Sequence, residues 1–200
     1  MKSYIMKIEV IIVFIILFAI MLVYHKMNKY DFTYITSNID GKYYLVRDLY
    51  DKQQASDMLA LFKKNINDLI IHLNNKKDPK FEPYIERLNE KLKNTIFSEN
   101  LYDSKYTSYS INKGEELVFC LRSKKTNEFH DINLVMYVVI HEISHIACPE
   151  YNAKDPHTAL FKELFKYLLL VCMELGIYKK IDFKNNPIEY CGMKITDSIV

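Results

Sequence analysis

Apolar positions along this chain recur in three patterns, and each predicts a different kind of element. The first is an uninterrupted run. From Val10 to Tyr24 no side chain is charged or strongly polar. Extended back to Ile5, the run reaches the roughly 20 residues that a bilayer-spanning helix needs, with Lys7 and Glu9 near its end, where a lysine can snorkel. The expectation is a membrane anchor over residues 1–27, with its helix at about 5–24, and a polar juxtamembrane linker over 28–41. A cleaved signal peptide competes, because the run follows a basic start. Against it, Tyr24-His25-Lys26-Met27 offers no small-x-small cleavage site. Lys2 and Lys7 on one flank balance Lys26 and Lys29 on the other, so the orientation stays open.

The second pattern is periodic and fills a domain over residues 42–200. Tyr43 to Arg47 predicts a short strand. Ala55, Met58, Leu59, Phe62, Ile66, Leu69, Ile70 and Leu73 then recur at helical spacing, predicting an amphipathic helix from about Asp51 to Asn74 whose apolar stripe is core. Asn74 to Pro79 punctuates the chain. A second helix follows at about Pro83 to Lys93, with Tyr84, Ile85, Leu88 and Leu92 inward. Thr107 to Ile111 and Glu116 to Arg122 favour strands, and the Asn112-Lys113-Gly114-Glu115 between them signals a hairpin. In the second of these strands apolar residues occupy both alternating sets, as expected of a strand buried on both faces.

The third pattern is apolar all round, from Leu134 to Ala147, and is interrupted only by a cluster at its end: His141-Glu142-Ile143-Ser144-His145. Its β-branched content leaves helix and strand both open by propensity. As a strand it would hold His141 and His145 about 13 Å apart. As a helix it would stack them one turn apart on a common face. Asp131 is placed to cap such a helix, and Pro149 to end it. A third stripe, Leu160, Phe161, Leu164, Phe165, Leu168 and Cys172, predicts a last helix. Asp155-Pro156 would start it and Gly176 would close it.

Composition adds bounds. The 200 residues are half apolar and include 16 tyrosines, enough for one domain with a sizeable core. The formal net charge is +2, with lysine pairs dispersed among acidic residues, so charge gives no nucleic-acid footprint. Cys120, Cys148, Cys172 and Cys191 are far apart and three lie in apolar surroundings, which reads as small buried hydrophobes more than as a disulfide framework. His72 reads as a boundary residue and His130 as a loop residue.

The cluster in the apolar helix is where chemistry enters. His-Glu-x-x-His on a helix is the zinc pattern in which two imidazoles hold the metal and the glutamate acts as general base. Burying such groups is costly unless they are paired or bind a metal. A catalytic zinc site uses three protein ligands and keeps one position open. His157 is the favoured third ligand, because as the second residue of the last helix it would be held rigidly near a positive dipole end that keeps the imidazole neutral. Glu163, on the same helix, is the alternative. Tyr151 and Tyr190 are candidate oxyanion donors. Cys148 reads as a packed thiol. The second hairpin strand, or its neighbour, could present an edge to an extended peptide.

His141-Glu-Ile-Ser-His145, followed by His157 with Phe161 four residues on, resembles the zinc peptidase core of the WLM and SprT-like families. There a third histidine begins the next helix and an aromatic follows it. The resemblance covers about Gly41 to Tyr178. Similar small proteins occur in large DNA viruses. It implies an α+β, zincin-like metallopeptidase core, mostly helical with a small mixed sheet, here preceded by one transmembrane helix. It also implies Zn²⁺ on His141, His145 and His157, with Glu142 as catalytic base and a protein or peptide substrate. Well-understood members degrade proteins crosslinked to DNA, so nucleic acid enters through the resemblance alone. The apparent anchor and the lack of a visible nucleic-acid module set this chain apart. A membrane-tethered, non-catalytic zinc domain that binds a protein partner through the same cleft is the alternative.

Overall fold

Two runs of β-favouring residues pair at the start of the sheet. In the computed structural model, which describes residues 11–23, 32–150 and 154–200, Phe32–Thr36 (β1) lies antiparallel to Tyr43–Arg47 (β2), with Phe32 opposite Arg47. Strand β2 falls where its alternation predicts. Strand β1 corrects the reading of 28–41 as a polar linker. Phe-Thr-Tyr-Ile-Thr is aromatic and β-branched throughout, and the turn after it is tied to the domain, since Asp57 accepts bonds from Ser37 Oγ (2.8 Å) and the Asn38 N–H (2.7 Å).

The membrane anchor also requires correction. Residues 11–23 form a helix (α1) with exposed apolar side chains. No helix among the described residues is long and apolar enough to cross a membrane. The remainder of the expected span, 5–10 and 24, lies outside the described residues, as does the first part of the expected linker.

After β2 the chain forms Lys52–Lys76 (α2) and Glu82–Leu92 (α3), then returns as Ile96–Glu99 (β3), parallel to β2. Helix α2 buries the predicted stripe, and its C-terminus closes on left-handed Lys77, whose N–H donates to Leu73 O (3.1 Å). The predicted hairpin is Tyr109–Ile111 (β4) against Glu116–Phe119 (β5). Strand β5 also pairs parallel with β3, so the sheet order is β1-β2-β3-β5-β4. Strand β5 is therefore interior and buried on both faces, as its apolar run predicts, and β4 is an edge.

Ile132–Ala147 (α4) is the helix that propensity left open. Asp131 caps it as expected, accepting from the N–H groups of Asn133 (2.9 Å) and Leu134 (3.1 Å). A helix apolar on every side must be covered on every side. Helix α4 packs against α2, α3, strands β4 and β5, and Ala159–Glu174 (α5). Helix α5 ends in a Schellman turn at Gly176 (φ 70°), where the N–H groups of Gly176 and Ile177 donate to Met173 O (3.2 Å) and Cys172 O (2.9 Å). The chain finishes in the hairpin Ile188–Tyr190 (β6) and Met193–Ile195 (β7). Among the described residues the result is a mixed α+β fold with five helices and a mixed sheet.

The sheet carries one buried ion network. Arg122, 2% exposed, donates from Nε to Glu99 Oε1 (2.8 Å) and from its Nη1 to Asp51 Oδ2 (2.6 Å), while the Arg47 N–H donates to Glu99 Oε2 (2.8 Å). These contacts tie β2, β3, the start of α2 and the end of β5 together. Removing one partner of such a pair leaves the other charge buried, which costs about 3–5 kcal/mol. Glu99→Ala is expected to lose that much stability in urea unfolding; a loss under about 1 kcal/mol would contradict the buried network.

Candidate functional site

The C-terminal half of α4 introduces its polar side chains into apolar surroundings, and each needs an account. Ser144 is satisfied within the helix, donating from Oγ to Ile140 O (2.7 Å). His141 and His145 share a face, with their Nε2 atoms 3.2 Å apart. Arg87 fixes the end of the helix by donating from Nε to Ile146 O (2.9 Å).

His157 comes to the same point from the next element. Its Nε2 lies 3.2 Å from His141 Nε2, and the three imidazoles each offer a nitrogen within 4.8 Å of the others. The route differs from the sequence expectation. Thr158, not Asp155, caps α5, accepting the Phe161 N–H (3.3 Å), so His157 stands just outside the helix. Asp155 instead accepts the His157 N–H (3.2 Å) and orders the loop locally. Phe161 completes the support: its ring stacks on His145 (centroids 4.1 Å) and contacts His157 (4.8 Å) and His141 (5.1 Å). Glu163 points elsewhere, pairing with Lys80 on an exposed surface.

The donor set fits a zinc ion. With Zn–N bonds of about 2.0–2.1 Å, tetrahedral ligands sit about 3.3 Å from one another, close to the two 3.2 Å separations here. A single proton on His141 Nε2 can serve only one of its two neighbours, so lone pairs converge unless a cation is shared. Protonating the rings is no remedy. Burial, then the neighbouring rings, lower His141 to about 3, burial and His157 lower His145 to about 4, and burial lowers His157. Neutral imidazole is the form a metal takes. For His157 that neutrality comes from burial and not from a place within the helix.

Glu142 is 9% exposed, and burial raises its carboxyl to about 7. It lines, with His145, a cavity of about 570 Å³ between α4 and the sheet edge, whose other walls include Tyr106, Ser108, Tyr109 and Ser110. Ser110 pairs with the core residue Leu117, so it faces α4, and its Oγ is buried with no hydrogen-bond partner among the described residues. The sequence reading passed over Ser108 and Ser110. Their signal was the alternation Ser-Tyr-Ser-Ile, which sets two small polar groups on one face of an edge strand.

Of the candidate oxyanion donors, Tyr190 is 1% exposed and bonds through its hydroxyl to Ser108 Oγ (2.7 Å), which makes it part of the wall's support. Tyr151 lies outside the described residues. Cys148 is a buried free thiol, as read. Cys120 and Cys191 are not free: they form a disulfide across 71 residues, which corrects the reading of the cysteines as small buried hydrophobes more than a disulfide framework.

No family model matches the chain. The uncharacterized protein R325 of Acanthamoeba polyphaga mimivirus is 43% identical to it over 177 residues, 88% of each chain. The uncharacterized protein 136R of Invertebrate iridescent virus 6 is 32% identical over 101 residues, 50% of this chain and 52% of that protein. Among solved structures, a Wss1 mutant from Saccharomyces cerevisiae aligns over 66% of this chain and 92% of that one, at 19% identity and a TM-score of 0.42.

The burial of Glu142 has a measurable signature in the metal-free chain. Between its unperturbed 4.5 and about 7, the folded chain keeps a proton that the unfolded chain releases, so this group's contribution to stability falls as pH rises through that window. The histidine terms are common to the native chain and Glu142→Gln. Urea unfolding is expected to show the variant gaining on the native chain by about 3 kcal/mol between about pH 4.5 and pH 8. A difference independent of pH would contradict the burial of the carboxyl.

Proposed function

The chain belongs to the family of the mimivirus protein R325, and for this member we propose a zinc-dependent endopeptidase that hydrolyses peptide bonds. The observation that carries the reading is the convergence of His141, His145 and His157 nitrogens at zinc-ligand spacing beside a buried carboxylate on the same helix. The resemblance of His141 to His145, with His157 and Phe161, to the WLM and SprT-like pattern supports the same assignment.

In this reading the three imidazoles hold the metal, and Phe161 lies against all three rings and keeps them oriented. Zinc, when bound, supplies a Lewis acid that polarises a carbonyl oxygen and lowers the pKa of a coordinated water towards about 7. Glu142 is the proton carrier. Its carboxylate oxygen would take the proton of the attacking water and return it to the amine that leaves, the role of the glutamate in this helical pattern. Strand β4 supplies the other side of the cleft. As an edge strand it has backbone groups free to pair with an extended peptide, and Ser110 Oγ is a buried donor that a peptide carbonyl in the cavity would satisfy. The substrate class is accordingly a protein or peptide segment able to lie extended.

Metal analysis of the full chain is expected to give one zinc per chain at the histidine site, lost in His157→Ala and kept in Glu163→Ala. Glu142→Gln should keep the zinc while cutting cleavage of a denatured protein by about 10²-fold or more. Zinc retained by His157→Ala would remove that ligand from the assignment. Cleavage undiminished in Glu142→Gln would remove the base, and no cleavage by the zinc-loaded native chain would leave a binding domain in place of an enzyme.

A further inference from the structure

A second cluster of ligand-type side chains lies where the last hairpin meets the sheet. Cys120 directly follows β5. His130 closes the loop after it, its N–H donating to Leu121 O (2.9 Å). Cys191 occupies the turn between β6 and β7. Segments 61 and 71 residues apart in sequence thus bring together two sulfurs and an imidazole nitrogen, all within 4.8 Å of one another.

The backbone at Cys191 adds an independent observation. Cys191 (φ 50°) and Gly192 (φ 91°) both have left-handed φ, the two-residue hairpin turn that Asn-Gly or Gly-Gly fills without strain. A side chain with a Cβ costs about 1–2 kcal/mol there. The sulfur is therefore held at a place the local backbone disfavours, and the reason lies in what it meets beyond the turn, its bond to Cys120 and a second neighbour.

It meets His130. Cys191 Sγ is 3.3 Å from His130 Nε2. Zinc bonds of about 2.3 Å to sulfur and 2.0–2.1 Å to nitrogen would set those atoms about 3.5 Å apart. The Cα atoms of Cys120 and Cys191 are 6.4 Å apart, so once the sulfur bond is broken, rotation of the two side chains opens space for an ion without moving the backbone. Glu189 flanks the cluster, with its Oε1 accepting the Gly192 N–H (2.6 Å).

We propose that Cys120, Cys191 and His130 form a second metal site, which takes zinc or another thiophilic divalent cation when the disulfide is reduced. Two molecules of a thiol reductant convert the disulfide to two cysteine thiols and are themselves joined as a disulfide. The metal then displaces both thiol protons and gains two thiolate bonds and one from the imidazole, a mixed sulfur and nitrogen set of the kind zinc prefers. The junction is held by a covalent bond in the oxidised chain and by the ion in the reduced one. In both states Tyr190 stays anchored beside Ser108, whose Oγ also accepts the Cys120 N–H (3.3 Å), so the wall of the cavity is kept.

The proposal does not depend on the chemistry assigned to His141, His145 and His157, and the test separates the two. The full chain, reduced with a phosphine and kept anaerobic, is titrated with Co²⁺, and the near-ultraviolet thiolate-to-cobalt band is recorded. Only a cysteine site gives that band, so an empty histidine site leaves it unchanged. The band is expected to saturate at one cysteine-bound cobalt per chain, within about two equivalents added since the histidine site takes the other, to be absent from the oxidised chain and from the double variant Cys120→Ser/Cys191→Ser, and to need at least about tenfold more cobalt in His130→Ala. A reduced chain without the band, or a band that survives in Cys120→Ser/Cys191→Ser and so arises from Cys148 or Cys172, would overturn it.

Discussion

Three converging imidazole nitrogens, those of His145 and His157 each 3.2 Å from that of His141, are the constraint around which this molecule is arranged. Without a cation their lone pairs oppose one another, and burial prevents the rings from relieving that by taking protons. The arrangement is therefore one that metal binding rewards. Its cost is met by the packing around it, because α4 is covered on every side and contributes an apolar surface far larger than its few polar groups.

That packing also sets the geometry. Asp131 fixes where α4 begins and Arg87 fixes its last turn, so the positions of His141 and His145 along the axis are determined from both ends. The third imidazole comes from the residues just before α5, where Asp155 accepts the His157 N–H and Thr158 caps the helix. Phe161 joins the two sources of imidazoles by lying against all three rings. Opposite them, β4 is held as an edge by β5, and the Tyr190–Ser108 contact braces the strand's approach to the cavity from the C-terminal hairpin.

Much of this was legible in the sequence wherever the signal was local. The stripe of α2, strand β2, the β4–β5 hairpin and the cap at Asp131 depend on neighbours a few residues away, and all appear close to their expected places. Strand β3 has no place among the expected elements, since Ser98 and Glu99 break its apolar run; Glu99 is satisfied in the interior by Arg122 and the Arg47 backbone, distant in sequence. Strand β1 was obscured by the apolar run before it, which drew the following segment into the role of a connector. His157 was identified with the wrong supporting element, since two possible caps, Asp155 and Thr158, stand three residues apart and only the packing of Phe161 decides between them. The Cys120–Cys191 pairing spans 71 residues and has no local pattern at all.

As proposed, this chain binds zinc through imidazole alone at the α4 site. X-ray absorption at the zinc edge, on the oxidised full chain loaded with one equivalent of zinc, tests it most directly. The predicted spectrum has only nitrogen and oxygen scatterers in the first shell, at about 2.0–2.1 Å, with the outer-shell signature of three imidazoles. A sulfur scatterer at about 2.3 Å, or an imidazole count of two or fewer, would contradict it.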